Sequence, residues 1–109
     1  MNYNIIPTDN FIKEAKKLSK KYRSLYKDFE KIKAELQEKP TKGILIGNNL
    51  YKIRMAIKSK GKGKSGGARI IYYIYISEKQ IFLMSVYDKS KKDNISADDI
   101  NEILKDIKK

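Results

Sequence analysis

Apolar positions recur along this chain with two different periods, and the period changes at Gly43. Before it, Phe11, Ala15, Leu18 and Tyr22 fall at steps of four, three and four, which puts them on one stripe of an α-helix. Thr8 or Asp9 stands just ahead of the stripe, where a side-chain oxygen can accept early backbone N–H groups. Leu25, Phe29, Ile32 and Leu36 repeat the spacing behind Ser24, a second capping candidate, and Pro40 and Gly43 close the run. Two amphipathic helices joined by a tight turn near Tyr22–Ser24 form an αα-hairpin. The short, partly apolar Asn2–Ile6 ahead of them reads as a first strand.

Beyond Gly43 the period falls to two. Leu50–Lys58 sets Tyr51, Ile53, Met55 and Ile57 on one face and Lys52, Arg54, Ala56 and Lys58 on the other. The run Gly61–Gly67, GKGKSGG, reads as a flexible basic loop. Ala68–Ile76, rich in Ile and Tyr, suits a central strand, Ser77–Gln80 a turn, and Ile81–Tyr87 another strand. Ser96 and Asp99 form a capping-box pair ahead of Ile100, Ile103, Leu104 and Ile107, the apolar face of a last helix. The expected order is β-α-α-β-β-β-α. This is one α+β domain over residues 1–109, an antiparallel sheet with an N-terminal α-hairpin and a short C-terminal helix, the helices covering one sheet face.

Length and composition agree with that reading. A chain of 109 residues, 40% hydrophobic, supplies one core and is too short for two ordinary domains. The longest apolar run, Ile70–Ile76, is strand-sized, so neither a membrane span nor a signal peptide is expected. The absence of cysteine fits a reducing cytoplasm. Charge adds more: 25 Lys and Arg against 13 Asp and Glu leave +12, a balance that favours a polyanion partner, with a merely solubilising surface as the rival reading. With no histidine, histidine acid–base catalysis, histidine–cysteine metal sites and histidine-dependent triads drop out. The acidic residues sit mostly in the helices at both ends, which argues against a clustered carboxylate metal site. Lys, Arg, Tyr, Ser and helical carboxylates remain for any chemistry.

The cations are concentrated. From Lys39 to Ser77 there is no Asp or Glu but nine basic residues: Lys39, Lys42, Lys52, Arg54, Lys58, Lys60, Lys62, Lys64 and Arg69. If the strand after the loop pairs antiparallel with the one before it, Arg69 lies beside the row of Lys52, Arg54 and Lys58, and like charges so placed repel until an anion relieves them. A solvated charge run is the plainer explanation for such a stretch. The GKGKSGG loop is not a Walker loop, because its glycines are spaced differently and a strand, not a helix, follows it. Among Tyr51, Tyr72, Tyr73, Tyr75 and Tyr87, most suit the core or sheet, whereas Tyr87, at a strand end beside Lys89, is the candidate to face a substrate.

The succession Leu50-Tyr51-Lys52-Ile53-Arg54, then GKGKSGG with Ala68-Arg69-Ile70-Ile71-Tyr72-Tyr73, then Ser85-Val86-Tyr87-Asp88-Lys89, resembles the RelE/ParE superfamily of bacterial toxins, in its HigB-like or RelE-like branch. The resemblance covers nearly the whole chain. It implies the toxin of a type II toxin–antitoxin pair, which cuts messenger RNA in the ribosomal A site without a metal or other cofactor. It also implies a cognate antitoxin, a helix-turn-helix protein with acidic surface, through which alone the pair touches operator DNA. By the same resemblance Lys52 and Arg54 match the family's basic pair, and Arg69 its phosphorane-stabilising arginine. Lys89 stands where such toxins often carry an arginine. The family's later tyrosine falls near Ile95 and is lost, leaving Tyr87 as a substitute that stacks on a base or acts as acid. Lys58, Lys60, Lys62 and Lys64 are expected to grip RNA or ribosome, with Lys62 or Lys64 sharing the base role. A ParE-like inhibitor of DNA gyrase and a non-catalytic RNA- or ribosome-binding module stand as alternatives, and retention of the basic residues favours cleavage.

Overall fold

In a computed structural model, residues 3–91 and 95–105 are described; Asn2 and Ile107, assigned above to the first strand and last helix, lie outside them. The elements are β1 (Asn4–Pro7), α1 (Asp9–Lys21), α2 (Leu25–Glu38), β2 (Ile44–Gly47), β3 (Leu50–Met55), β4 (Ala68–Tyr75), β5 (Gln80–Asp88) and α3 (Ala97–Lys105). Thr8 caps α1, its Oγ1 accepting from the Phe11 N–H at 3.2 Å. Ser96 and Asp99 cap α3 reciprocally, the Asp99 N–H donating to Ser96 Oγ at 3.0 Å. Ser24 precedes α2 without capping it, and its hydroxyl donates instead to Asp28 Oδ2 at 2.8 Å.

The five strands form one sheet in the order β1-β5-β4-β3-β2. β4 pairs antiparallel with β3 and β5, and β2 antiparallel with β3. β1 runs parallel to β5, so the sheet is mixed rather than wholly antiparallel. The α-hairpin is the crossover that returns the chain for the rest of the sheet. β2 was not expected from the sequence: it is four residues long, and Ile44 and Leu45 are exposed, so it carries no alternation to read.

The second departure concerns the layers. One face of the sheet, with Ile53, Met55, Ile70, Tyr72, Ile74, Ile81, Leu83 and Val86, packs on Phe11, Ala15, Leu25, Phe29, Ile32 and Leu36 of the hairpin. The opposite face, with Leu50, Ile71, Met84 and Tyr87, packs on Ile100, Ile103 and Leu104 of α3. The helices therefore cover both faces, not one. The reason lies in β4, where Ile70, Tyr72 and Ile74 alternate with Ile71 and Tyr73, so that both faces are apolar and both must be covered.

Tyr72 joins this core to the turn before β2. Its ring stacks on Tyr51 with centroids 5.4 Å apart, and its hydroxyl donates to Pro40 O at 2.7 Å and accepts from the Gly43 N–H at 3.0 Å. Burial pushes its pKa from 10.0 to about 12, against the opposing pull of the Gly43 N–H. Gly43 is needed at this spot, since a Cβ there would meet Lys52 O at 2.7 Å and the Tyr72 hydroxyl at 2.9 Å.

Candidate functional site

Strand register assembles the site. Arg54 of β3 lies directly across from Arg69 of β4, and Arg69 directly across from Tyr87 of β5, while Lys52 faces Ile71. The β3–β4 pairing anticipated from alternation thus sets Lys52, Arg54 and Arg69 on one face. These three, with Lys42, Lys64 and Lys89, line a cleft of about 780 Å³ completed by Glu35, Gly43, Ile44, Ile53 and Ser65. No described residue of α3 lines it. Among the described residues Glu35 is the one carboxylate in its wall, and it is bound to Lys42. Among the described residues, Lys52, Arg54, Lys58, Lys62 and Lys64 make no ion pair. So many cations with one engaged carboxylate give a positive potential that an anion relieves.

Arg69 is only 5% exposed, an unusual position for a charged side chain, and its burial is explained by its partners. Nη1 donates to Lys64 O at 3.0 Å and to Ala68 O at 3.1 Å, and Nη2 donates to Ser65 O at 3.2 Å. The guanidinium thereby lines the cleft and holds the end of the GKGKSGG loop at once. The loop is tied at its start as well: the Lys58 N–H donates to Asp28 Oδ2 at 3.1 Å, and the Ser59 N–H to Ser24 Oγ at 2.8 Å. At its end, Gly67 passes so close to Met55 and Ala56 that any Cβ would overlap their backbone. The sequence suggested a flexible connection; the Asp28 and Ser24 side chains hold the turn that leads into it, and the Arg69 side chain holds its far end.

The four loop cations accordingly separate. Lys64 lines the cleft. β3 ends at Met55, so Lys58 is not on the strand face with Lys52 and Arg54; it sits in a 3₁₀ turn and borders a neighbouring depression with Lys27 and Lys31. Lys62 borders a third depression with Ser65, Lys89 and Lys91. Lys60 borders that depression too, but its ammonium is engaged by a carboxylate. Its Nζ donates to Asp88 Oδ1 at 2.7 Å, lies 5.5 Å from the Tyr22 ring centroid, and leaves the side chain a tenth exposed.

Tyr87 also departs from expectation. It is 7% exposed and packed with Leu50, Ile71, Met84 and Ile103, beneath α3 and outside the cleft wall. Its neighbours Arg69 and Lys89 reach the cleft and it does not, because the apolar half of this face extends to its ring. In this arrangement it cannot stack on a base. Lys42 was missed as a site residue: its place depends on the turn pinned by Tyr72, and no local pattern in the sequence marks that turn as part of the cleft.

Asp88, adjacent to Lys89, is 2% exposed. Burial alone would raise its carboxyl pKa, but hydrogen bonds from Lys60, Tyr22 and Ser90 together outweigh burial and hold it well below the ordinary carboxylate range. The reciprocal effect appears on Tyr22, whose phenol is pushed up to about 12 by its hydrogen bond to Asp88, by burial and by the carboxylate charge.

A small α+β fold presenting a cation-lined cleft on one end of its sheet defines a protein equipped to hold a polyanion. The family model for the RelE toxin of the RelE/RelB toxin–antitoxin system matches residues 4–109. Solved structures agree in fold. A free double arginine-to-alanine mutant of the Escherichia coli toxin RelE superposes with a TM-score of 0.66 at 23% identity, over 98% of this chain and 99% of that one. The RelBE2 toxin–antitoxin complex of Mycobacterium tuberculosis gives 0.61 at 16% identity, over 81% and 99%. The RelE–RelB complex of Pyrococcus horikoshii gives 0.55 at 17% identity, over 84% and 99%. The chain belongs to the RelE toxin family, the toxin half of a type II toxin–antitoxin system.

Proposed function

We propose that this toxin is a ribosome-dependent messenger RNA endonuclease that arrests translation in the cytoplasm. The observation that carries the reading is the convergence of Lys52, Arg54, Arg69 and Lys89, from β3, from β4 and from the residue just after β5, on one cleft whose one carboxylate among the described residues is paired with Lys42. Cleavage by attack of the 2′-hydroxyl needs a proton acceptor, cations on the phosphorane and a proton for the leaving 5′-oxygen. The 2′-oxygen bonds to phosphorus as its proton passes to a base, and the P–O5′ bond breaks as that oxygen is protonated. A 2′,3′-cyclic phosphate and a 5′-hydroxyl result.

The residues suit these tasks. Arg54 offers guanidinium N–H groups to the non-bridging phosphate oxygens in a fork that lysine cannot reproduce, and Arg69, directly across from it with both Nη groups held by the Lys64, Ala68 and Ser65 carbonyls, adds a fixed positive charge to the cleft lining. Lys52 and Lys64, both in the cleft lining, are the candidates to accept the 2′-hydroxyl proton, and Lys89 to stabilise or protonate the leaving oxygen. Lys58 and Lys62, in the flanking depressions, extend the cationic surface toward the backbone of the substrate or ribosome. Tyr87 is given no part. The partner that holds the toxin inactive is an antitoxin with acidic surface, matched to the excess of +12; the family neighbours include toxins crystallised with their antitoxins.

Primer extension on messenger RNA after brief induction tests the reading. Codon-phased cuts confined to translated regions are expected. Intact transcripts accompanied by DNA damage would replace it with gyrase inhibition, and intact transcripts with neither effect would leave a binding module.

A further inference from the structure

Resting on that reading of the cleft, we infer that Asp88 is a positioning residue: by holding Lys60 it fixes the basic loop against Lys89, so that Lys64 and Lys89 keep their spacing in the cleft lining. Asp88 closes β5, paired with Ala68 of β4. Its Oδ2 accepts from Tyr22 Oη at 2.6 Å, and its Oδ1 accepts from Lys60 Nζ at 2.7 Å, from Ser90 Oγ at 2.8 Å and from the Ser90 N–H at 3.0 Å. Lys21 Nζ stands 3.9 Å from Oδ2. One buried carboxylate thus joins the end of α1, the basic loop and the segment that carries Lys89.

The connection to the cleft is short on both sides. The Lys89 N–H donates to Gly67 O at 3.0 Å, which ties the strand end to the last residue of the loop. Arg69 holds the carbonyls of Lys64 and Ser65, the loop residues that share the cleft wall with Lys89. Lys60 itself does not line the cleft. It is a loop cation used as an anchor, and the carboxylate it neutralises is inaccessible to a polyanion that would otherwise be repelled by it. Arg69 secures the loop after its tip and Asp88 before it. With the second tie removed, Lys64 is free to drift from Lys89, and displacement of about 1 Å from a productive geometry lowers a rate by as much as about 10²-fold.

An anchoring lysine and a substrate-gripping lysine respond oppositely to loss of Asp88. Asp88→Asn frees the Lys60 ammonium and adds one unit of positive charge, which favours association with RNA. Single-turnover cleavage on programmed ribosomes is therefore measured for the wild type, Asp88→Asn, Lys60→Met and the double variant, together with ribosome affinity. The cleavage step is expected to fall up to about 10²-fold in either single variant, and no further in the double, because both remove one contact. Affinity is expected to hold or tighten for Asp88→Asn. Backbone amide exchange of residues 61–67 should accelerate in both single variants while the amides of α1 and α2 keep their protection.

Wild-type cleavage by Asp88→Asn, with weakened ribosome binding by Lys60→Met, overturns the inference in favour of direct RNA contact by Lys60. Loss of exchange protection throughout the chain overturns it in favour of a general stability role. If Asp88→Asn does not fold, Lys60→Met decides, since it leaves Asp88 with Tyr22 and Ser90. Absence of cleavage by the wild type refutes the endonuclease reading, and the exchange comparison still decides whether Asp88 holds the loop.

Discussion

Removing one oxygen from Tyr72 tests how the core holds the rim of the cleft. In Tyr72→Phe the ring and its stacking on Tyr51 remain, but Pro40 O loses its donor and the Gly43 N–H its acceptor. Leaving buried polar groups without partners costs about 1–3 kcal/mol, so about 2 kcal/mol is expected here. An unfolding entropy of about 2.1 cal/mol/K per residue, over a chain of this length, converts that to a fall in Tm of about 9 °C. The phenol supplies an independent check. Its pKa is raised from 10.0 to about 12, so its contribution is complete below pH 10 and is lost as pH climbs through 12. Thermal melts of both proteins from pH 8 to pH 12 separate the effects, because lysine titration is common to both and cancels in the difference. The gap between them should be widest below pH 10 and close toward pH 12. Tyr22, which is also raised, leaves the variant a residual alkaline decline. A variant that melts within about 0.5 kcal/mol of the wild type at pH 8, the range of an ordinary surface substitution, refutes the account.

Other consequences follow from the loop and its anchors. Arg69→Ala should abolish growth arrest on induction, and a denaturant melt should show a loss of about 2–4 kcal/mol, because charge-assisted hydrogen bonds to three loop and strand carbonyls disappear; antitoxin binding should persist, and unimpaired toxicity at equal expression counts against any role in the cleft. Lys62→Ala and Lys64→Ala should each reduce the salt dependence of RNA binding by about one unit of slope if each ammonium meets a phosphate, and titration of affinity against salt reads this directly. Asp88 is held below its unfolded pKa, so its stabilisation is present above the ordinary carboxylate range and disappears as pH falls through and below it. Acid unfolding of Asp88→Asn should therefore show a flatter pH dependence than the wild type, and parallel curves would mean that Asp88 does not carry this limb.

The secondary elements were legible because each answers to a local rule. The stripe from Phe11 to Tyr22 and that from Leu25 to Leu36 became α1 and α2, with Thr8 capping the first as expected and Ser96 with Asp99 capping α3. β3, β4 and β5 follow the alternation and the apolar run. The errors occurred where pairing rather than periodicity decides. β2 exists only because it lies beside β3, and β1 runs parallel to β5 because the α-hairpin returns the chain across the sheet. α3 covers the second face because β4 is apolar on both.

The same boundary runs through the site. The acid-free stretch from Lys39 to Ser77 and the absence of histidine are properties of the sequence, and they already point to a polyanion handled by Lys and Arg. Alternation sufficed to bring Arg69 beside Arg54, since a strand pair transmits its register to every residue in it. The division of labour among the cations was decided by the tertiary structure alone. Lys60 and Lys64 are four residues apart in one loop and look equivalent in the sequence, yet one is fastened to Asp88 and the other lines the cleft. Tyr87 sits beside Asp88 and Lys89 and is nevertheless enclosed under α3. A cation's role depends on whether a carboxylate lies within a few ångströms, and an aromatic's on whether a helix covers it. Both are distances between segments far apart in the chain, and no local pattern contains them.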